Sequence, residues 1–187
     1  MTQELLTAVR NGNLELVELL IERGVSIEYR EDDGVNALAL ASTAGHILIT
    51  KSLLSHGANV DAPNYWGCTA LMLAARHGQI AIIDLLLSHR ACVEATNELE
   101  STALIWAASA GHSHVVKLLL DYGANAEATD HCGDSAMYFA MLFDHTHVAK
   151  VINEHITRRK EQLVHDYLNL CGANRFKDLI PSIASFL

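Results

Sequence analysis

Apolar residues at the start of the chain recur at intervals of three and four, the spacing that places side chains on one face of a helix. Such residues between Leu5 and Val9 predict a first short helix, and those between Leu16 and Ile21 predict a second. A turn at 11–13 separates the two. Gly24 ends the second helix, because glycine adopts a left-handed conformation that a side chain disfavours. The pattern predicts a pair of short helices followed by a polar loop.

The same pattern of apolar and polar positions returns every 33 residues. Three series of glycines share this period, and two of them are interrupted once, by Arg90 and by Glu100. A fixed period of this length is typical of a repeat array, in which each unit buries its apolar face against its neighbours. The three series are Gly12, Gly45, Gly78, Gly111, then Gly24, Gly57, Gly123, and then Gly34, Gly67, Gly133.

The repeated segments share a motif as well as a period. Thr69 to Ala91 and Thr102 to Ala124 are the best copies of T-P-L-H-x-A-A-x-x-G-H followed by an apolar helix ending L-L-x-x-G-A. Asn36 to Ala58 is the next best, and degenerate copies begin at Thr2 and Ser135. In this motif the chain resembles the ankyrin repeat family. The resemblance covers about residues 2–153 and implies an all-α solenoid of five helix-turn-helix units with hairpin fingers, which we assign to an array over 1–153.

Each unit departs from the family motif at the same places. Alanine stands at the proline position, at Ala37, Ala70, Ala103 and Ala136, and the motif histidine is replaced in every copy. Because the resemblance implies that this histidine ties neighbouring units together, we expect apolar packing to carry the stability instead. Where Arg90 and Glu100 replace glycine, we expect a strained or differently turned junction, and we interpret it as sequence drift rather than a functional hinge.

The fifth unit has no glycine to stop its second helix, since Ile156 stands in that place. We therefore predict a helix from near Thr146 to about Leu170, with an apolar stripe along it. The stripe consists of Ile156, Leu163, Tyr167 and Leu170.

We expect Cys171-Gly172 to end this helix. Asn174 is then expected to cap a last helix, which runs from Arg175 to about Leu179. Pro181 and an apolar tail follow it. We assign 154–187 to a helical extension that caps the open end of the array, because terminal units need an altered outer face. Self-association through the same segment is the alternative.

Charge and composition exclude several function classes. The chain carries a formal net charge of -9, which disfavours binding to phosphate backbones, so we expect no nucleic-acid partner. No apolar run is long enough to cross a bilayer, so we expect no membrane insertion. Four widely spaced cysteines indicate reduced thiols. These features favour a cytoplasmic location, with the nucleus also open.

No catalytic or cofactor-binding motif is present among those for phosphate loops, dinucleotides, zinc proteases or serine hydrolases. Two histidine pairs lie one unit apart, and in a stacked array they could share a surface patch that binds zinc. Against this, two of the four stand where the family motif itself has histidine, so we favour a structural role and expect no metal, no cofactor and no enzymatic activity. The four are His112, His114, His145 and His147.

The remaining hypothesis is recognition of another protein. By resemblance, the partner lies along the finger tips and the concave face formed by the first helix of each unit. A finger tip has little core to join, so the exposed pair Tyr65-Trp66 is the strongest candidate for binding, although Trp66 could instead fold back onto a neighbouring finger. For Trp106, packing within the array is favoured. The candidate binding residues are Asp32, Asp33, Tyr65, Trp66, Arg76, His77, Glu98, Leu99, Trp106, His131 and Phe143.

Acidic residues cluster on the first finger, around Asp32, and on the third, around Glu98. They are either solvated charge that keeps the protein soluble or a means of steering a partner with Lys or Arg beside an apolar anchor. We predict a non-enzymatic interaction module or adaptor. The alternatives are a regulatory or targeting subunit of an enzyme complex and a homo-oligomer formed through the C-terminal helix.

Overall fold

A computed structural model describes residues 2–170 and contains ten helices in that range, arranged as five consecutive pairs. The helices are α1 (Thr2–Arg10), α2 (Leu14–Glu22), α3 (Ala37–Ala44), α4 (Ile47–Ser55), α5 (Ala70–Arg76), α6 (Ile80–Ser88), α7 (Ala103–Ser109), α8 (Ser113–Asp121), α9 (Ala136–Leu142) and α10 (Thr146–Leu170). The expected end of the long helix at Cys171-Gly172, the last helix at 175–179 and the apolar tail lie outside the described residues.

Helices stack in two layers. The first helix of each pair packs on the first helix of the next, from α1 to α9, and the second helices pack in the same order from α2 to α10. One cluster of buried side chains runs between the layers from Leu5 to Ile152. The predicted all-α array of five units is confirmed.

Short polar side chains begin the first helices, as predicted. The Thr102 hydroxyl accepts a hydrogen bond from the Ile105 amide at 3.4 Å, and Asn36 Oδ1 accepts one from the Ala39 amide at 2.9 Å. Thr69 and Ser135 cap α5 and α9 in the same way. Each cap satisfies an amide that has no partner within its helix.

Non-glycine residues at the missing glycine positions retain the left-handed backbone. Arg90, Glu100 and Asp144 have φ values of 66°, 56° and 57°. The junction between the third and fourth units is therefore turned in the usual way and strained, at a cost of roughly 1 kcal/mol for each such residue. Of the two geometries left open by the sequence, strain is the one observed.

Neighbouring units are joined by polar contacts in addition to the apolar packing that the sequence predicts. In the fifth unit the histidine after the turn supplies such a contact, since His145 Nε2 lies 3.1 Å from the Ser109 carbonyl oxygen of the preceding unit. The imidazole also lies over Gly111, where an added Cβ would be 2.9 Å from His145 Cε1. A glycine at this turn is required both for its positive φ and for this close approach.

The segments between helix pairs form four fingers, at 23–36, 56–69, 89–102 and 122–135, numbered one to four. Adjacent fingers are linked by one backbone hydrogen bond each. The Tyr65 amide donates to the Asp33 oxygen at 3.2 Å, Glu98 to Trp66 at 3.0 Å, and His131 to Leu99 at 3.0 Å. These bonds hold the finger tips in a regular row.

The last helix, α10, is 25 residues long and has the predicted bounds. Val148 and Ile152 are buried, and Ile156 packs against the core. Farther along, Leu163 is 61% exposed and Tyr167 is 67% exposed. The predicted stripe is therefore half-buried at Ile156 and exposed at Leu163 and Tyr167, whereas the neighbouring Val164 is buried, at 4% exposed.

Candidate functional site

A groove of about 490 Å³ lies in the middle of the array, between the tips of fingers two and three and the helices below them. Two tryptophans and several aliphatic side chains give it an apolar lining, with one cation and one carboxylate among them. The lining residues are Val35, Asn64, Trp66, Cys68, Leu73, Arg76, Asn97, Glu98, Leu99 and Trp106.

The upper edge of the groove is formed by Trp66 and Leu99, which occupy equivalent places on fingers two and three. Their side chains are 54% and 55% exposed, a high value for large apolar residues. Trp66 therefore does not fold back into a buried position. Exposed apolar residues at a concave surface are typical of interaction sites.

Two buried asparagines fix the backbone beneath these side chains. Asn64 Oδ1 accepts hydrogen bonds from the Trp66 amide at 3.0 Å and the Cys68 amide at 2.8 Å. Asn97 Oδ1 accepts equivalent bonds from the amides of Leu99 and Ser101. Trp66 and Leu99 are thus presented on ordered tips, which lowers the entropy that binding must remove.

The floor of the groove is Trp106, which is half-buried on α7 and packs against the core. The guanidinium carbon of Arg76, on α5, lies 5.3 Å from the centroid of the Trp106 ring. This cation–π contact spans the junction between the third and fourth units and holds the Arg76 guanidinium at the groove. Trp106 therefore has both the packing role that the sequence favours and a place in the groove.

The thiol of Cys68 lies at the back of the groove and is buried. Burial raises its pKa above the usual value, an effect partly offset by Asn97, whose Nδ2 lies 3.8 Å from the sulfur. A raised pKa means less thiolate at neutral pH, so Cys68 contributes apolar contact surface rather than a reactive nucleophile.

Most of the acidic residues that cluster in the sequence have structural partners. Glu28 accepts a hydrogen bond from the Asn59 amide at 2.8 Å, and Glu94 accepts one from the Asn125 amide at 2.9 Å, so each joins one unit to the next. Glu31 forms an ion pair with Arg10 at 2.6 Å. These carboxylates therefore join parts of the array, while Glu28 and Glu94 also remain exposed to solvent.

Asp32 and Asp33 lie apart from the central groove. They line a separate depression of about 320 Å³ near the first helix, together with Gln3, Tyr29 and Glu31. Asp33 Oδ1 also accepts a hydrogen bond from the Val35 amide at 3.0 Å. Of the acidic candidates, only Glu98 lies in the groove itself.

The other predicted binding residues do not line the groove. Tyr65 lies against Gly34 of the preceding finger, where an added Cβ would be 2.7 Å from the tyrosine Cδ1. His77 caps the end of α5 through Nδ1, 2.9 Å from the Leu73 oxygen. Both side chains are exposed and make local contacts outside the groove.

The two remaining candidates, His131 and Phe143, belong to the C-terminal end of the array. His131 Nδ1 lies 3.3 Å from the Leu99 oxygen on the neighbouring finger. Phe143 stacks on Phe139, with 6.3 Å between ring centroids. Neither lines the central groove, although His131 contacts Leu99 at its edge.

The proposed patch of four histidines does not form a ligand set. His112 and His145 each direct Nε2 at a backbone oxygen of the preceding unit, at 3.0 and 3.1 Å. Within residues 2–170, the potential metal-ligating side chains that converge are Asp130, His131 and Cys132, whose ligand atoms lie within 4.8 Å of one another. All three are on the tip of finger four, and His131 and Cys132 are exposed.

A second apolar surface, on α9, was missed by sequence reasoning. Tyr138 is 47% exposed and Met141 is 69% exposed, although the equivalent residues of the other units are buried. The signal was Met141 itself, since the motif has a small residue there.

Comparison with known proteins identifies the architecture. A family model described as ankyrin repeats, three copies, matches residues 5–97 and, in a second match, residues 91–160. No curated protein matches the chain. None of the helices in residues 2–170 combines the length and the apolarity needed to cross a bilayer. The two matches together extend over most of the sequence and coincide with the five helix pairs, so the chain belongs to the ankyrin repeat family.

Proposed function

We propose that this chain is a non-enzymatic interaction module that binds a segment of another protein in the central groove. Ankyrin repeats are generally protein–protein interaction modules. The observation that supports this groove in particular is the exposure of Trp66 and Leu99 on ordered tips above Trp106. Aromatic and arginine side chains around a concave apolar surface are the groups that dominate binding energy at protein interfaces.

The lining favours a partner with an apolar anchor. An aliphatic or aromatic side chain inserted between Trp66 and Trp106 would contact the apolar surfaces of both tryptophans and of Leu99. Glu98 at the rim provides a place for a Lys or Arg next to that anchor, while Arg76 repels a cation placed directly over Trp106. Asp32 and Asp33 on finger one lie outside the groove, so their charges would affect the rate of association rather than contacts within the complex.

The test is capture of partners from a cell lysate, followed by affinity measurements with the purified partner. The variants are Trp66→Ala and Leu99→Ala, and the control is Leu48→Ala, which removes an even more exposed side chain from α4 outside the groove. We expect Trp66→Ala to cost about 2 kcal/mol, or roughly 30-fold in affinity, and the control to bind normally.

Equal binding by all four proteins would place the interface elsewhere and contradict the proposal. An enzyme among the captured partners would support the narrower role of a regulatory or targeting subunit.

Self-association is a second candidate, favoured by the 61% exposure of Leu163 on α10. Light scattering of the intact protein over a range of concentrations, with Leu163→Glu as the variant, separates this function from partner binding. A mass that stays monomeric at every concentration would dismiss it.

A further inference from the structure

The tip of finger four carries a set of side chains that the other fingers lack. Asp130, His131 and Cys132 follow one another there, and one ligand atom from each lies within 4.8 Å of the other two. A carboxylate, an imidazole and a thiol are the kinds of side chain that bind zinc in proteins. No histidine and no cysteine stands at the equivalent places of the other fingers, 31–33, 64–66 and 97–99.

The imidazole of His131 is oriented by the neighbouring finger. Its Nδ1 lies 3.3 Å from the Leu99 carbonyl oxygen, to which the His131 amide also donates at 3.0 Å. A carbonyl oxygen only accepts, so Nδ1 carries the proton in this contact and Nε2 of the neutral ring keeps a free lone pair. Histidines that bind metals have this arrangement, in which the second ring nitrogen donates to a carbonyl or carboxylate oxygen.

The free Nε2 atom lies next to the thiol of Cys132, with 3.3 Å between the nitrogen and Sγ. Two ligands of a tetrahedral zinc ion lie roughly 3.5 Å apart when the zinc–nitrogen and zinc–sulfur bonds are about 2.0 and 2.3 Å long. The two atoms are therefore already near the separation that one ion requires. Both side chains are exposed, so an ion can reach them from solvent.

Asp130 is held in place by the backbone of its own finger. Its Oδ1 accepts hydrogen bonds from the Cys132 amide at 2.9 Å and the Asp134 amide at 3.0 Å. Asn64 and Asn97 accept equivalent pairs of bonds in fingers two and three, so these bonds do not require a carboxylate. What aspartate adds is a negative charge and a second oxygen in place of the amide nitrogen, and both favour a cation.

We propose that Asp130, His131 and Cys132 form a zinc-binding site on finger four, with water at the remaining position of a tetrahedral ion. The ligands are a carboxylate oxygen of Asp130, His131 Nε2 and Cys132 Sγ, and the zinc–sulfur bond forms as the thiol releases its proton to solvent. The sequence-based expectation of no metal was drawn from a different place, the patch in which His112 and His145 direct Nε2 at backbone oxygens.

Titration of the full chain with Co²⁺ tests the proposal, because cobalt replaces zinc and absorbs visible and near-ultraviolet light when a thiolate binds it. We expect one ion per chain, a sulfur-to-cobalt charge-transfer band, and displacement of the cobalt by Zn²⁺. Cys132→Ser should abolish the band. Cys92→Ser, which removes an exposed thiol from finger three, is the matched control and should bind like the wild type.

A second variant, Asp130→Asn, separates metal binding from folding. It should weaken binding of Co²⁺ roughly tenfold or more. The free energy of unfolding measured in urea without metal should stay unchanged, because asparagine makes the same backbone bonds at Asn64 and Asn97.

Protection from alkylation locates the ion on the chain. Zn²⁺ should slow the labelling of Cys132 but not of Cys92, as measured by peptide mapping, because a metal-bound thiolate is shielded from the reagent. His131→Tyr, which introduces the residue type found at Tyr65 in finger two, should remove this protection.

Three results would overturn the proposal. Absence of cobalt binding in the wild type would reduce the contact between Cys132 and His131 to a hydrogen bond between thiol and imidazole. An unchanged band in Cys132→Ser would place the metal at another thiol. One ion for every two chains would place the site between copies rather than within one finger.

Discussion

The Nε2 atom of His112 lies 3.0 Å from the carbonyl oxygen of Arg76, so the turn of the fourth unit is bonded to the end of α5 in the third. Gln79 occupies the equivalent place one unit earlier and reaches the Thr43 oxygen with Nε2 at 3.3 Å. Two different side chains thus make the same contact between units.

This equivalence predicts the effect of substitutions at His112. His112→Ala removes the hydrogen bond and leaves the Arg76 oxygen without it, so the free energy of unfolding should fall by roughly 1–2 kcal/mol. His112→Gln should retain most of the stability, because glutamine makes this contact at Gln79. Urea denaturation measures both, and equal losses in the two variants would show that packing of the imidazole, not its hydrogen bond, is responsible.

Relief of backbone strain should stabilise the junction between the third and fourth units. Arg90 has a φ of 66° and an exposed side chain, so Arg90→Gly keeps the conformation and removes the clash of Cβ with the backbone. We expect the free energy of unfolding to rise by about 1 kcal/mol. Arg90→Ala is the matched control: it removes the same charge but keeps Cβ, and a comparable gain there would attribute the effect to charge.

The order of finger three should depend on Asn97, which is buried and accepts two backbone hydrogen bonds. Asn97→Ala leaves the amides of Leu99 and Ser101 without their partner, and we expect a loss of roughly 2–3 kcal/mol together with faster amide exchange in the finger. Asn97→Asp should be milder, since Asp130 accepts the same two bonds in finger four at 2.9 and 3.0 Å.

Hydrogen exchange followed by mass spectrometry locates the effect of these two variants. If Asn97→Ala left exchange at 98–101 as slow as in the wild type, the ordering role assigned to this side chain would be wrong. A loss of partner binding in Asn97→Ala without a change in Asn97→Asp would connect the order of the tip with recognition.

The cysteines should differ in reactivity because alkylating reagents attack the thiolate. Burial raises the pKa of Cys68, so at a given pH near neutrality a smaller fraction is ionised, and that fraction is also shielded from the reagent. Cys92 and Cys132 are exposed. We expect Cys68 to be labelled after Cys92 and Cys132, and its labelling to increase with pH. Peptide mapping after timed labelling measures the order, and labelling of Cys68 together with Cys92 would contradict the burial.

The sequence was sufficient for the fold because the repeat period, the capping residues and the glycine series all specify local geometry. Thr102 and Gly111 act within a few residues of their own positions, and so their roles could be read from the chain directly. The missing stop glycine at Ile156 similarly predicted the length of α10.

The site was predicted only in part, because it depends on how side chains point between units. Trp66, Leu99 and Trp106 were selected as binding candidates, and the structure brings them into one groove. Tyr65 was selected for the same reason as Trp66, yet alternation along the finger turns it toward Gly34. The contact of Glu28 with the Asn59 amide joins residues 31 positions apart, and no local signal in the sequence predicts it.

The α9 and α10 helices also determine where the chain can acquire another unit by duplication. A copy inserted between α8 and α9 would meet small residues, such as Ala108, and a glycine turn at Gly123, so it would join the existing stack without resizing its neighbours. A copy added after α10 would meet Met141, Asn153 and no stop glycine. Within the described residues, the stack therefore accepts an added unit between α8 and α9 more readily than after α10.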